Sequence, residues 1–182
     1  YGKLSGILGD DIIVATNTSA LPITEIATAY KKPDKVVGMH FFNPAQVMQL
    51  IEVIAAAQTS QETVDAVFAL SKSINKKPIQ VKEGPGFVVN RILVPGINEA
   101  AFILYEGLAS VADIDTAMKL GAGWPMGPLA LGDLVGIDIA LEVCNTLFEE
   151  TGDPKYRPAP PLKQYVRAGW LGMKTKKGFY SY

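Results

Sequence analysis

Two residues of the chain could do acid–base chemistry together. His40 is the only histidine of the 182 residues, and Glu52 is a lone acid in an apolar run. Val36, Val37 and Met39 lead into His40, while Leu50, Ile51, Val53 and Ile54 flank Glu52. Both runs are short and largely aliphatic, which predicts two strands. Between them stands Phe41-Phe42-Asn43-Pro44-Ala45-Gln46, and Asn-Pro is a turn former. A reversal about Gln46 would set residues 40 and 52 opposite each other, because both lie equally far from it. Directly opposed side chains on antiparallel strands have Cβ atoms about 4.5–5.5 Å apart. A carboxylate at that distance can accept a hydrogen bond from the imidazole, fix its tautomer and stabilise the imidazolium, making the free ring nitrogen a better base. The competing reading is a structural histidine beside an unrelated glutamate, since spacing alone does not set the register of a loop-closed hairpin.

The elements around this hairpin must position it. Tyr1–Leu8 reads as the end of a helix closed by Gly9. Ile12–Ala15 reads as a short buried strand, followed by Asn17-Thr18-Ser19. In an open α/β sheet, ligands bind beyond the carboxyl ends of the strands, so these three small polar side chains could contact one. They could equally form a turn and a cap for the helix expected from Thr24 to Tyr30. Thr59 or Ser60 caps a further helix, with Glu62 in its first turn. Val64, Val67, Phe68, Leu70, Ser71 and Ile74 give that helix its inner face. Pro78–Val81 is a last strand. The order helix, strand, helix, strand, strand, helix, strand is part of an α/β domain.

Gly84-Pro85-Gly86 marks a boundary, dividing the chain into residues 1–84 and 85–182. Beyond it the strand signals stop. A long apolar helix is expected over Phe87–Glu106, kinked at Pro95 and ended by Gly107. Asn90 lies near its start. Ser110 and Asp113 resemble a capping box for a helix ending near Leu120. Pro128 opens another helix, broken near Gly136 and continuing to Glu150. Lys155–Pro161 reads as a proline-rich connector, Leu162–Ala168 as a final short helix, and Leu171–Tyr182 as a basic, then aromatic, tail. The apolar content of this half exceeds what a small exposed bundle needs, which favours a homodimer over a compact monomeric bundle packed on the first half.

Bulk properties narrow the function classes. The net charge is −1 and no basic stripe stands out, which argues against nucleic acid as a partner. The single cysteine, Cys144, excludes an internal disulfide framework and fits a reducing, cytoplasmic compartment. No metal site is expected. No stretch approaches the roughly 18–20 apolar residues of a membrane span, so no membrane partner is expected. The chain opens Tyr1-Gly2-Lys3 without an initiator methionine, so the lack of a visible targeting signal carries little weight.

Several stretches, in the same order, resemble the L-3-hydroxyacyl-CoA dehydrogenases, and most nearly the bacterial 3-hydroxybutyryl-CoA dehydrogenases. They are Asn17-Thr18-Ser19-Ala20-Leu21, Gly38-Met39-His40-Phe41-Phe42-Asn43-Pro44-Ala45, the run from Pro85 to Arg91, the run from Asp113 to Gly121, Pro125-Met126-Gly127-Pro128-Leu129, and the end from Gly172 to Tyr180. The resemblance covers essentially the whole chain. It implies an α/β remnant of a Rossmann-type NAD-binding domain followed by an all-α dimerisation domain. It implies hydride transfer between a 3-hydroxyacyl-CoA and a nicotinamide cofactor, NAD or NADP. By resemblance His40 is the general base, Glu52 its paired acid, Ser19 a contact to substrate and cofactor, and Asn90 a holder of the reacting thioester. Asn43 and Lys174 match residues near the nicotinamide.

The chain departs from the family in one respect. The family opens with a strand, a Gly-x-Gly-x-x-Gly turn and a helix that cradle the pyrophosphate. Gly2, Gly6 and Gly9 come nearest, but their spacing is wrong and no strand precedes them. The chain therefore reads as the C-terminal part of such an enzyme, expected to turn over poorly by itself. The strand Ile12–Ala15 is then expected to have a bare edge that swaps or extends onto another chain. Two other functions remain open at this level: a non-catalytic structural or dimerisation module, and a related dehydrogenase acting on a different hydroxy acid.

Overall fold

The computed structural model describes every residue except Ala20. The chain forms two compact units, Tyr1–Val88 and Val89–Tyr182. No helix among the described residues is long and apolar enough to cross a membrane.

The first unit contains α1 (Gly2–Ser5), β1 (Val14–Thr16), α2 (Ile23–Thr28), a 3-10 turn at Pro33–Lys35, β2 (Val36–Phe41), β3 (Leu50–Ala55), α3 (Gln61–Ser73) and β4 (Lys77–Lys82). The strands form one sheet in the order β1-β2-β3-β4. β1 runs parallel to β2 and β3 parallel to β4, each pair joined through a helix, while β2 and β3 are antiparallel. This is the mixed sheet of a Rossmann-like domain. β2 and β3 are buried along nearly their whole length, which is why both read as continuous aliphatic runs. Ile23, Val36 and Ile54 anchor the core on one side of the sheet, and Val37, Val53 and Val67 on the other.

Several boundaries differ from expectation. β1 starts two residues later than Ile12; Ile12 is 46% exposed, and the alternation buries Val14 and Thr16 instead. The edge strand is thus short, and among the described residues only β2 pairs with it. α1 ends at Ser5, closed by Gly6 rather than Gly9. In α3, Val64, Val67 and Ser71 are buried as their spacing requires, and Ser60 caps the helix by accepting from the Thr63 N–H. Leu70 and Ile74 are 50% and 44% exposed. Leu70 lies beside the buried stripe, and Ile74 is the cap residue past the last turn.

The second unit is all helical: α4 (Val89–Tyr105), α5 (Val111–Gly121), α6 (Pro128–Val135), α7 (Ile137–Thr151), a 3-10 turn at Pro154–Tyr156, α8 (Pro160–Arg167) and a 3-10 turn at Met173–Thr175. Ile97, Ile137, Leu147 and Leu162 are fully buried in its core. Cys144 packs there too, and burial pushes its thiol up to about 12. Gly136, at φ +109, breaks α6 from α7 in a conformation that other residues rarely adopt. α4 runs through Pro95. α8 begins at Pro160, not Leu162, because two prolines occupy its first turn, where no N–H is needed. Ser110 accepts from the Asp113 N–H and donates to the Asp113 carboxylate, so the capping box closes through side chains.

Two buried carboxylates tie this unit together. Asp115 of α5 accepts from the Leu129 and Ala130 N–H groups at 2.8 and 2.9 Å, capping α6 across space where the cap residue Gly127 has no side chain to do so. Asp133 of α6 accepts from the Phe179 and Tyr180 N–H groups, both at 2.9 Å, and so clasps the tail. The Tyr180 hydroxyl donates to Asp115 at 2.8 Å. A Cβ on Gly127 would lie 2.2 Å from the Asp115 side chain and 2.5 Å from its Cα. Carbon atoms pack at about 3.5–4.0 Å, so neither can stay. Gly127→Ala is therefore expected to destabilise the protein by about 3 kcal/mol, read by urea unfolding. Its φ of −67° suits alanine, so an unchanged midpoint would mean that the close approach does not constrain the fold.

Candidate active site

His40 lies at the end of β2 and Glu52 in β3, and the observed register pairs them directly. The loop of residues 42–49 reverses the chain symmetrically between them, so the two side chains share one face of the sheet. His40 Nδ1 lies 2.8 Å from Glu52 Oε2. Glu52 Oε1 accepts from the Val88 N–H at 3.0 Å. His40 is 4% exposed and Glu52 0%. Burying a carboxylate is costly unless it is paired and hydrogen-bonded, and both conditions are met here. A carboxylate can only accept, so its bond to Nδ1 places the ring proton there and leaves Nε2 unprotonated, able to accept.

Ser19 Oγ lies 2.9 Å from that Nε2. Parallel pairing brings the carboxyl ends of β1 and β2 to the same border of the sheet, and Asn17, Ser19 and Asn43 all emerge there. The Asn17 side-chain oxygen accepts from the Phe41 N–H at 2.9 Å, tying the serine loop to the strand that carries His40. The Thr18 hydroxyl accepts from the Leu21 N–H, so this segment is at once a turn and part of the site. The rings of Phe42 and Phe87 pack edge-on against the imidazole, with centroids 4.7 and 5.5 Å away.

The structure thus brings Ser19, His40 and Glu52 into one hydrogen-bonded line, with exposed Asn43 in the loop that follows β2. Asn90 and Lys174 belong to the second unit. Asn90 stands in the first turn of α4, and Lys174 forms an ion pair with Asp138 at 2.6 Å. Sequence reasoning missed Glu83, which accepts from the Thr24 N–H and hydroxyl and so fixes the start of α2. It also missed Asp115 and Asp133. Asp133 carries the signal that singled out Glu52, a lone acid in an apolar run.

Ser19 and the exposed Asn43 lie at the sheet border where nucleotides bind in such folds. The four-stranded mixed sheet with its ligand border, followed in the chain by an all-α unit, defines the class: a Rossmann-type nucleotide-binding domain joined to a helical domain. Family models agree. Residues 1–84 match the 3-hydroxyacyl-CoA dehydrogenase NAD binding domain, and residues 86–182 match the 3-hydroxyacyl-CoA dehydrogenase C-terminal domain. The chain belongs to the 3-hydroxyacyl-CoA dehydrogenase family.

It is 60% identical over 182 residues to the 3-hydroxybutyryl-CoA dehydrogenase of Clostridioides difficile, covering all of this chain and 65% of that protein. It is 44% identical over 183 residues to human mitochondrial hydroxyacyl-coenzyme A dehydrogenase, covering 58% of it. The crystal structure of (S)-3-hydroxybutyryl-CoA dehydrogenase from Ralstonia eutropha superposes with a TM-score of 0.96 at 52% identity, over all of this chain and 64% of that one. The chain therefore spans just under two thirds of the length of these bacterial relatives.

Proposed function

We propose that this chain carries the catalytic half of a short-chain 3-hydroxyacyl-CoA dehydrogenase acting on 3-hydroxybutyryl-CoA with NAD or NADP. The observation that carries this reading is the buried His40–Glu52 pair with its Nε2 turned to Ser19 at the ligand border of the sheet. The nicotinamide, when bound, supplies the acceptor for the hydride that leaves substrate C3. His40 Nε2 takes the proton of the 3-hydroxyl in that direction and returns it to the carbonyl oxygen in the other. Glu52 stabilises the imidazolium formed in between. With Nε2 unprotonated, the Ser19 hydroxyl donates to it; a substrate 3-hydroxyl that takes over this bond by donating to Nε2 releases the serine hydrogen for the substrate oxygen. We assign Asn90 to holding the thioester, and Asn43 and Lys174 to the nicotinamide side.

The helical unit serves as a homodimer surface in this reading, supported by Ile92, Leu108 and Leu120, which are 70–82% exposed. A cytoplasmic setting is supported by the free, buried Cys144. The test is NADH or NADPH oxidation by the full-length protein, one that spans its relatives' whole length, with acetoacetyl-CoA and with free acetoacetate. Turnover of the thioester and little of the free acid is expected. No turnover of either would overturn the assignment, and a preference for the free acid would point to a different hydroxy acid as substrate.

A further inference from the structure

The segment that leads out of β4 makes an unusual turn beside the dyad. Gly86 has φ +71, and Phe87, a bulky non-glycine residue, has φ +49. Such a residue rarely enters the left-handed region unless its surroundings hold it there, and residues so held concentrate at functional sites. Here the surroundings are specific. Phe87 is 7% exposed, its ring meets the His40 imidazole, and its N–H donates to the Gly84 carbonyl at 3.0 Å. At the upstream end, Glu83 grips Thr24, and its own N–H donates to the Ala55 carbonyl at 3.3 Å. At the downstream end, the left-handed pair turns the Val88 N–H onto Glu52 Oε1.

We propose that Gly84–Val88 is a positioning device for the dyad: the left-handed Gly86-Phe87 turn delivers the Val88 N–H to Glu52 Oε1, holding that side chain aimed at His40. Resting on the dehydrogenase reading above, this adds Phe87 and the Val88 N–H as positioning groups. Phe87 packs against the imidazole, and neither group exchanges a proton with the substrate. The carboxylate has two distinct oxygens, one facing the ring and one facing the strap. A hydrogen bond to the strap-side oxygen favours the ionised form and fixes the carboxyl plane, and thereby the direction of the bond to Nδ1. The ionisable neighbours are few. Level with Glu52 stand His40 on β2 and Ile79 on β4, and the strap offers Val88, so of these only His40 is ionisable. Glu83, the acid of the strap, bonds to Thr24.

The active base is a neutral imidazole beside an ionised carboxylate. Weakening the anion moves the formation of that state to higher pH. The test replaces the Val88 peptide N–H by an ester oxygen in the full-length protein, using the α-hydroxy analogue of valine. With acetoacetyl-CoA reduction and its reverse as assays, kcat for hydroxyacyl oxidation is expected to fall about tenfold, with KM within about twofold. The acidic limb of its pH profile is expected to rise by about one unit. A second comparison avoids the backbone change. Phe87→Gly and Phe87→Val both remove the ring from the imidazole, but glycine permits the left-handed turn and valine disfavours it, so the acidic limb should lie higher in Phe87→Val than in Phe87→Gly. A limb unmoved by the ester, or moved equally by Gly and Val, would overturn the positioning role while leaving the wild-type reaction intact. A wild-type protein inactive on the thioester would instead overturn the functional reading.

Discussion

Replacing His40 by glutamine in the full-length protein is expected to lower kcat for acetoacetyl-CoA reduction by about 10²–10⁴-fold, with KM changed far less. That range is what a positioned general acid or base contributes. Glutamine fills similar space, and its uncharged amide keeps a polar group at the place of Nε2 beside Ser19. It has no group that takes up a proton near neutral pH. The fold should therefore persist while the chemical step fails, and steady-state kinetics beside a thermal melt would separate the two. A variant that turned over like the wild type would show that the proton is handled elsewhere.

Glu52→Gln should produce a loss of comparable size, on the order of 10²–10⁴-fold in kcat, by a different route. The substituted side chain can keep an oxygen for the Val88 N–H, 3.0 Å from Oε1 in the native protein. The group facing His40 is then an NH₂, which donates. The imidazole must accept at Nδ1, carry its proton on Nε2 and offer no lone pair to the substrate. The imidazolium also loses its counter-charge. Because both residues act on one proton, their effects should not add. The double variant His40→Gln with Glu52→Gln is expected to be no slower than His40→Gln alone. An unchanged rate in Glu52→Gln would remove the orienting role and leave the pair a packing feature.

The dyad was legible because two local facts agreed. Short aliphatic runs on both sides set the strands, and a reversal about Gln46 is one register that pairs residues 40 and 52, the one the structure adopts. The α/β character of the first unit followed from the order of strand and helix signals, and its Rossmann-type reading from the resemblance. The limits of β1 were less visible, because Ile12 and Ile13 are as apolar as Val14; only the pairing to β2 decides where the strand begins. The bonds of Asp115 and Asp133 were hidden for another reason. Each carboxylate caps backbone far away in sequence, with Asp133 bonding residues 46 and 47 positions on. Periodicity reports which face is buried, not which N–H groups lack a local partner. The Val88 bond depends on the φ of Gly86 and Phe87. Glycine at 86 hinted at a special backbone, but phenylalanine at 87 argued against one. His40, Glu52 and Ser19 meet within the first unit, whereas the roles given to Asn90, Asn43 and Lys174 stand on resemblance alone.

The most direct test of the central claim is the protonation of the His40 ring itself, followed by ¹⁵N–¹H correlation of the imidazole and identified by its loss in His40→Gln. At a pH where the ring is neutral, the proposed mechanism requires the proton on Nδ1 and a bare, pyridine-like Nε2, with this pattern lost in Glu52→Gln. A neutral ring protonated on Nε2 in the wild type would mean that the nitrogen facing the ligand border has no lone pair to offer, and His40 could not be the base.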